Sequence, residues 1–161
     1  DDSCFYNPDD MVDAVLQYLE QTGQWVPNKE EIGQIARIIY ESITFKCKYS
    51  METLKKATGK KVEKLYVVGG ASGIAFLNQM LATALHLPII TGPEEASATG
   101  NVLLQAFGMG DIKSKEEARE IVRRSFERNV FYPQTEERWE QKYLEFLQMC
   151  DLNDIRSQEC I

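Results

Sequence analysis

Leu65-Tyr66-Val67-Val68-Gly69-Gly70-Ala71-Ser72-Gly73 is the stretch that decides the fold. Residues 65–68 form a short, dense, β-prone run that stops on glycine. That is how a buried strand enters a tight turn. Residues 75–85 follow with Phe76, Leu77, Met80, Leu81, Ala84 and Leu85 on one side, the spacing of a helix. Residues 87–90 read as a second strand, ended by Thr91-Gly92-Pro93. Residues 96–107 read as a helix rich in small residues, ended by Gly108 and Gly110. Strands alternating with helices predict an α/β fold with parallel pairing.

The turn itself is the candidate site. A strand that ends in glycines and leads into a helix puts main-chain N–H groups at a helix N-terminus, where the dipole favours an anion. Glycine lets a ligand come close to the backbone. Gly69, Gly70, Ala71 and Ser72 are therefore candidates for contact with a phosphate or nucleotide at the carboxyl end of a parallel strand. The pattern is neither GxGxxG nor a Walker A loop, because the GK[ST] ending is absent. An ordinary strand-to-helix turn would use the same residues, so the pattern leaves both readings open. Ser72 as a hydrolase nucleophile is set aside: there is no GxSxG and His86 is the only histidine.

Upstream, Asn7-Pro8-Asp9-Asp10 reads as a helix start with Asn7 as N-cap. Met11, Val15, Leu16 and Leu19 continue it and Gly23 closes it. Asn28 opens a second helix whose apolar stripe is Ile32, Ile35, Ala36, Ile39 and Ile43, running to about residue 56. Downstream, Ser114 caps a helix over 115–126, and residues 129–133 read as a loop. Residues 135–149 form a last helix with Trp139, Tyr143, Phe146 and Leu147 as its docking face. Residues 1–150 are read as one domain and 151–161 as a frayed tail. Two strands make a poor sheet, so something that completes the sheet is expected outside the chain. An uncovered apolar edge predicts self-association, with a twofold homodimer as the simplest form.

The 161 residues, 43% hydrophobic and 27% charged, suit one globular domain. A net charge of −7 argues against unspecific binding to nucleic acid or an anionic membrane. No apolar run approaches the roughly 20 residues of a membrane span, and no signal peptide is visible. The start at Asp1, without an initiator methionine, suggests an excised or processed piece. Cys4, Cys47, Cys150 and Cys160 show no CxxC spacing, so reduced thiols in a cytoplasmic protein are expected and no metal site is. Blander readings take most other polar groups. His86 ends a helix. Glu94 and Glu95, being adjacent, diverge. Trp25 and Trp139 pack among helices. Arg119, Arg123, Arg124 and Arg128 form a solvated face balanced by Glu116, Glu117, Glu120 and Glu127.

The segment from Leu65 to Ile112 resembles the C-terminal signature of the FGGY carbohydrate kinase family, and within it the rhamnulokinase branch. The resemblance lies in the glycine turn, Leu77-Asn78-Gln79, Gly92-Pro93-Glu94-Glu95-Ala96 and Gly100-Asn101, and it extends over residues 5–134. It implies part of an actin-like, RNase H-like domain, incomplete without upstream strands. It also implies ATP as phosphoryl donor with Mg, a sugar bound mainly by the missing N-terminal part, and a nucleotide that meets Gly69, Gly70 and Ala71, Gly70 first, with Ser72 a weaker candidate. Glu95, Ala96, Ala98 and Gly100 match a second motif, read as structural, whose small residues seat the helix against the strand. The family's catalytic aspartate and its threonine-bearing phosphate loop have no match here and are expected upstream of Asp1. Where the family carries an asparagine near adenine, this chain has Gly73, Ile74 and Ala75. That departure is what favours the alternative, a non-catalytic actin-like module that binds a nucleotide or a protein.

Overall fold

The computed structural model describes residues 2–135 and 138–158, which divide into two compact units, Asp1–Ile43 and Thr44–Ile161. Cys160, part of the expected tail, lies outside the described residues.

In the first unit a 3-10 turn over Ser3–Phe5 precedes α1 (Met11–Gln21). The cap is Asp10, whose Oδ1 accepts from the N–H groups of Val12 (2.8 Å) and Asp13 (3.1 Å). Asn7, expected to cap, instead takes a left-handed conformation at φ 56°, which asparagine tolerates better than most residues. Gly23 ends α1 as expected. It stands at φ 68° and donates to Glu20 O, while Gln24 N–H reaches Leu19 O, the paired bonds of a Schellman cap. Val15, Leu19 and Ile35 form this unit's core, with Phe5, Val12, Leu16, Ile38 and Ile39 packed on it. Ile35, Ile38 and Ile39 belong to α2 (Ile32–Thr58), whose later residues fall in the second unit.

The second unit holds a three-stranded mixed sheet: β1 (Leu65–Val67), β2 (Ile89–Thr91) and β3 (Val130–Phe131), in the order β1-β2-β3. β1 runs parallel to β2, with Leu65 opposite Ile89, and β3 runs antiparallel to β2, with Phe131 opposite Ile89. The parallel pair was expected. The third strand was not: two residues are too few to show a period, and the stretch reads as a loop. β2 also starts later than expected. Pro88 lacks an N–H but its carbonyl accepts from Leu65 N–H (3.0 Å), so it serves the ladder from just outside the strand. β1 is not the buried strand the sequence suggested, since among the described residues it pairs on one side only and Tyr66 and Val68 stand exposed.

The core of this unit is α3 (Ala75–Leu85) against β2, β3 and α6 (Arg138–Gln158). Leu77, Asn78 and Met80 to Leu85 are all buried, so α3 is covered nearly all round; only its first turn, at Phe76, opens to solvent. α6 continues through the residues read as a frayed tail, to Gln158. It docks through aromatic rings: Phe45 of α2 lies 5.5 Å from Trp139, 6.0 Å from Tyr143 and 5.7 Å from Phe146, centroid to centroid. Buried Lys48 pairs with Glu140 (2.6 Å) and lies over the Tyr143 ring, and Tyr143 OH donates to Glu52 (2.8 Å). Trp139 packs as expected, whereas Trp25 is largely exposed.

α4 (Ala96–Met109) and α5 (Lys115–Ser125) complete the unit. α4 buries no residue and displays Val102, Leu104, Phe107 and Met109. Ala98 is exposed and a Cβ on Gly100 would meet nothing within 4 Å, so these small residues do not seat the helix against a strand here. α5 begins as read, with Ser114 Oγ accepting from Glu117 N–H (3.1 Å).

Candidate functional site

The four candidates from the sequence lie together at the carboxyl end of β1. Gly69 leaves the strand at φ 81°, ψ −171°, a conformation reserved in practice for glycine. Gly70–Gly73 form one 3-10 turn that leads through Ile74 into α3. Two backbone bonds clamp the turn's entry to the end of β2: Gly92 N–H to Val67 O and Gly69 N–H to Pro93 O, each 2.9 Å. The approach is close, since a Cβ on Gly92 would stand 2.8 Å from Val68 Cγ1.

Within the turn the carbonyl of Gly69 is engaged twice. Gly69 O accepts from Ser72 N–H (2.9 Å) and from Ser72 Oγ (2.7 Å). Ser72 is buried, and its hydroxyl is spent on the backbone. It is a structural brace, which accounts for the serine without ligand contact. Gly70 is different. It is exposed, its φ is ordinary, and a Cβ there would meet no atom within 4 Å. Neither conformation nor packing asks for glycine at 70. No acceptor in the described chain faces the N–H of Gly70 or of Ala71. The turn thus presents two donors and a bare Cα at a strand end, chemistry suited to a phosphate or ribose oxygen.

The sequence reading gave Asn78 no role beyond its place in a motif. It is fully buried, and its Nδ2 donates to three carbonyls: Ala71 (3.0 Å), Ser72 (3.1 Å) and Ile74 (2.9 Å). Its Oδ1 has no partner. An amide residue inside a mostly apolar helix was the available signal. Glu94 was also set aside, yet its carboxylate lies against the turn at Gly73.

The other polar groups fall elsewhere. His86 closes α3 in a left-handed conformation and its Nε2 meets Glu140 (2.9 Å), as a helix-end histidine. Arg123 and Arg124 pair with Glu120, at 2.8 Å each, and Arg119 with Glu116, the balanced face expected. Arg119, Arg123 and Arg128 also line a groove of about 380 Å³ with Tyr66, Leu103, Ala118 and Val122, and no turn residue contributes to it. Among the described residues no group of three or more histidine, cysteine, aspartate or glutamate side chains could hold a metal. No helix among them is long and apolar enough to cross a membrane.

Residues 1–109 match the C-terminal domain of the FGGY family of carbohydrate kinases. A rhamnulokinase of Bacteroides thetaiotaomicron is 38% identical over 146 residues, 91% of this chain and 30% of the relative. A rhamnulokinase of Bacillus subtilis is 35% identical over 132 residues, 82% of the chain and 27% of the relative. One from Mannheimia succiniciproducens is 35% identical over 156 residues, 93% and 31% respectively. The chain therefore spans about three tenths of the curated relatives it matches.

Proposed function

We propose, from the premise that this chain belongs to the FGGY family of carbohydrate kinases, that it supplies part of the nucleotide site of an ATP-dependent sugar kinase and is inactive by itself. Membership carries the actin-like, RNase H-like fold, of which this chain holds a short mixed sheet and the helices around it. The observation that carries the reading is the turn at Gly70: a glycine that the chain's own conformation and packing do not require, with unengaged N–H donors beside it.

The role of these residues would be to bind and orient. Gly70 and Ala71 would offer their N–H groups to ATP, and Gly69 would set the direction of the turn. Ser72 would brace the turn rather than touch the ligand, a change from its rank as a candidate. Bound ATP supplies the phosphoryl group. Its Mg fits no cluster of side chains among the described residues, so no step is assigned to metal ligands of this chain. Phosphoryl transfer depends on holding donor and acceptor in line and on stabilising charge. The residues for the sugar and the general base are assigned to the part of such kinases that this chain does not match. The relatives' name makes rhamnulose the first sugar to try. Relatives that are kinases favour this reading over a non-catalytic module. A cytoplasmic setting, where ATP is at hand and thiols stay reduced, suits it.

Gly70→Val tests the reading. A β-branched side chain on an exposed, unstrained position should leave the fold intact and block approach to the turn. ATP titration followed by the amide signals of residues 69–72 should show binding by the unsubstituted chain and its loss in the variant. Equal affinity in both would reject the site, and sugar phosphorylation by the pure chain would reject the inactive-part reading.

A further inference from the structure

We propose that Asn78 is a positioning residue for the nucleotide turn, holding its carbonyl oxygens away from the anionic ligand. The inference rests on reading the turn as a nucleotide contact.

Three facts carry it. One amide nitrogen serves three carbonyls, those of Ala71, Ser72 and Ile74. The orientation of the amide is forced, because a flipped side chain would set Oδ1 against the same three oxygens. The cost is an orphaned Oδ1 in a fully buried side chain. A leucine would fill this space without leaving a buried acceptor unpaired. The gain that justifies asparagine is therefore the grip on the carbonyls. Those oxygens carry negative partial charge, and each one facing the ligand would repel a phosphate. Asn78 draws them toward its buried side chain, while Gly70 stands exposed. Ser72 does the same for the carbonyl of Gly69. Together they engage the carbonyls of residues 69, 71, 72 and 74, of which those of Ala71 and Ile74 also accept the N–H groups of Ile74 and Asn78.

The test is an ATP titration of the 161-residue chain followed by the amide signals of residues 69–75, comparing Asn78→Leu with Thr83→Val. Thr83 is also buried on the same helix, but its hydroxyl donates to Gln79 O and touches no carbonyl of the turn. Asn78→Leu should weaken ATP binding by roughly tenfold or more, the effect expected from losing hydrogen bonds that orient a charged-ligand site. Thr83→Val should leave it within about twofold. Equal weakening in the two variants would reduce Asn78 to an ordinary core residue and overturn the proposal. So would unchanged affinity in Asn78→Leu. Should Asn78→Leu not fold, the unsubstituted chain decides: the Nδ2 hydrogens must exchange slowly with water, and exchange at the rate of an exposed amide overturns the proposal. Silence of the turn toward ATP in the unsubstituted chain would remove the nucleotide reading itself, and this inference with it. A response there with an indifferent Asn78→Leu removes only the inference.

Discussion

The carboxylate of Glu94 occupies the space that a side chain on Gly73 would need: a Cβ built there stands 2.6 Å from Glu94 Oε1 and 3.0 Å from its Cδ. The obstacle is the far end of an exposed, flexible side chain, and Gly73 has no left-handed φ to defend. Gly73→Ala should therefore cost little, within about 0.5 kcal/mol by thermal melting, and should swing the carboxylate away. With one negative charge moved off the turn, ATP should bind more tightly. A weaker complex in the variant would mean that Glu94 helps the ligand rather than opposing it.

Gly69→Ala should behave in the opposite way. Its φ of 81° with ψ −171° is a region that a Cβ strains by about 1–3 kcal/mol. Little contacts the added methyl group, the nearest atom being Glu94 O at 4.0 Å. Strain alone is therefore being tested. Denaturant titration showing no loss of stability would place the glycine's value outside the backbone.

Ile74→Asn introduces the residue type that the family resemblance implies near adenine. Ile74 is also the N-cap of α3 and offers no side-chain hydrogen bond to it. An asparagine there should stabilise the fold by about 0.5–2 kcal/mol through capping, with or without nucleotide. A rise in melting temperature only when ATP is present would instead assign the gain to the ligand. No rise under either condition would show that the backbone at 74 is not placed to cap.

Glu140 yields a pH prediction. Hydrogen bonds from Lys48 first and His86 second hold its carboxyl below the ordinary value of 4.5. A depressed carboxyl contributes stability that is present above the unfolded value and is lost as pH falls through the folded one. Acid unfolding should therefore steepen below about pH 4.5, and Glu140→Gln should flatten that limb while lowering stability at neutral pH. The neutral loss follows because Lys48, with its side chain only 8% exposed, would be left in the interior without its ion-pair partner. An unchanged acid limb in the variant would exclude Glu140 as its source.

The open face of the second unit predicts association. β1 has a free edge among the described residues, and α4 displays Val102, Leu104, Phe107 and Met109 beside polar groups. An unpaired strand edge and exposed large apolar side chains both invite a covering chain. Light scattering should report dimers or larger species, and Leu104→Lys should shift the population toward monomer. A clean monomer without the substitution would overturn the expectation.

Much of this architecture was legible because it is periodic. α3 matches residues 75–85 as read, since a helix with a one-sided stripe and a glycine turn before it has few alternatives. The candidate turn was legible for the same reason: four small residues in succession allow little else. What stayed hidden depends on partners distant in sequence. β3 is two residues long and exists only because β2 offers it an edge. The exposure of Tyr66 follows from which neighbour β1 lacks, and no local pattern encodes that. The partners that dock α6, Phe45 and Lys48, lie on α2, where the pattern of α6 itself cannot name them. Asn78 escaped notice because a polar residue in a helix gives no hint of its three acceptors.

The anchoring of α6 has a consequence for the order of events in synthesis. Lys48 meets Glu140 across 92 positions and Glu52 meets Tyr143 across 91. The early helix must therefore wait, with Phe45 and Lys48 uncovered, until the residues 92 positions further along have been made. Closing so long a loop is entropically costly and slow compared with forming the helices themselves. The second unit is thus a late-folding body, held open through most of its own translation and sealed by one of its last segments to emerge.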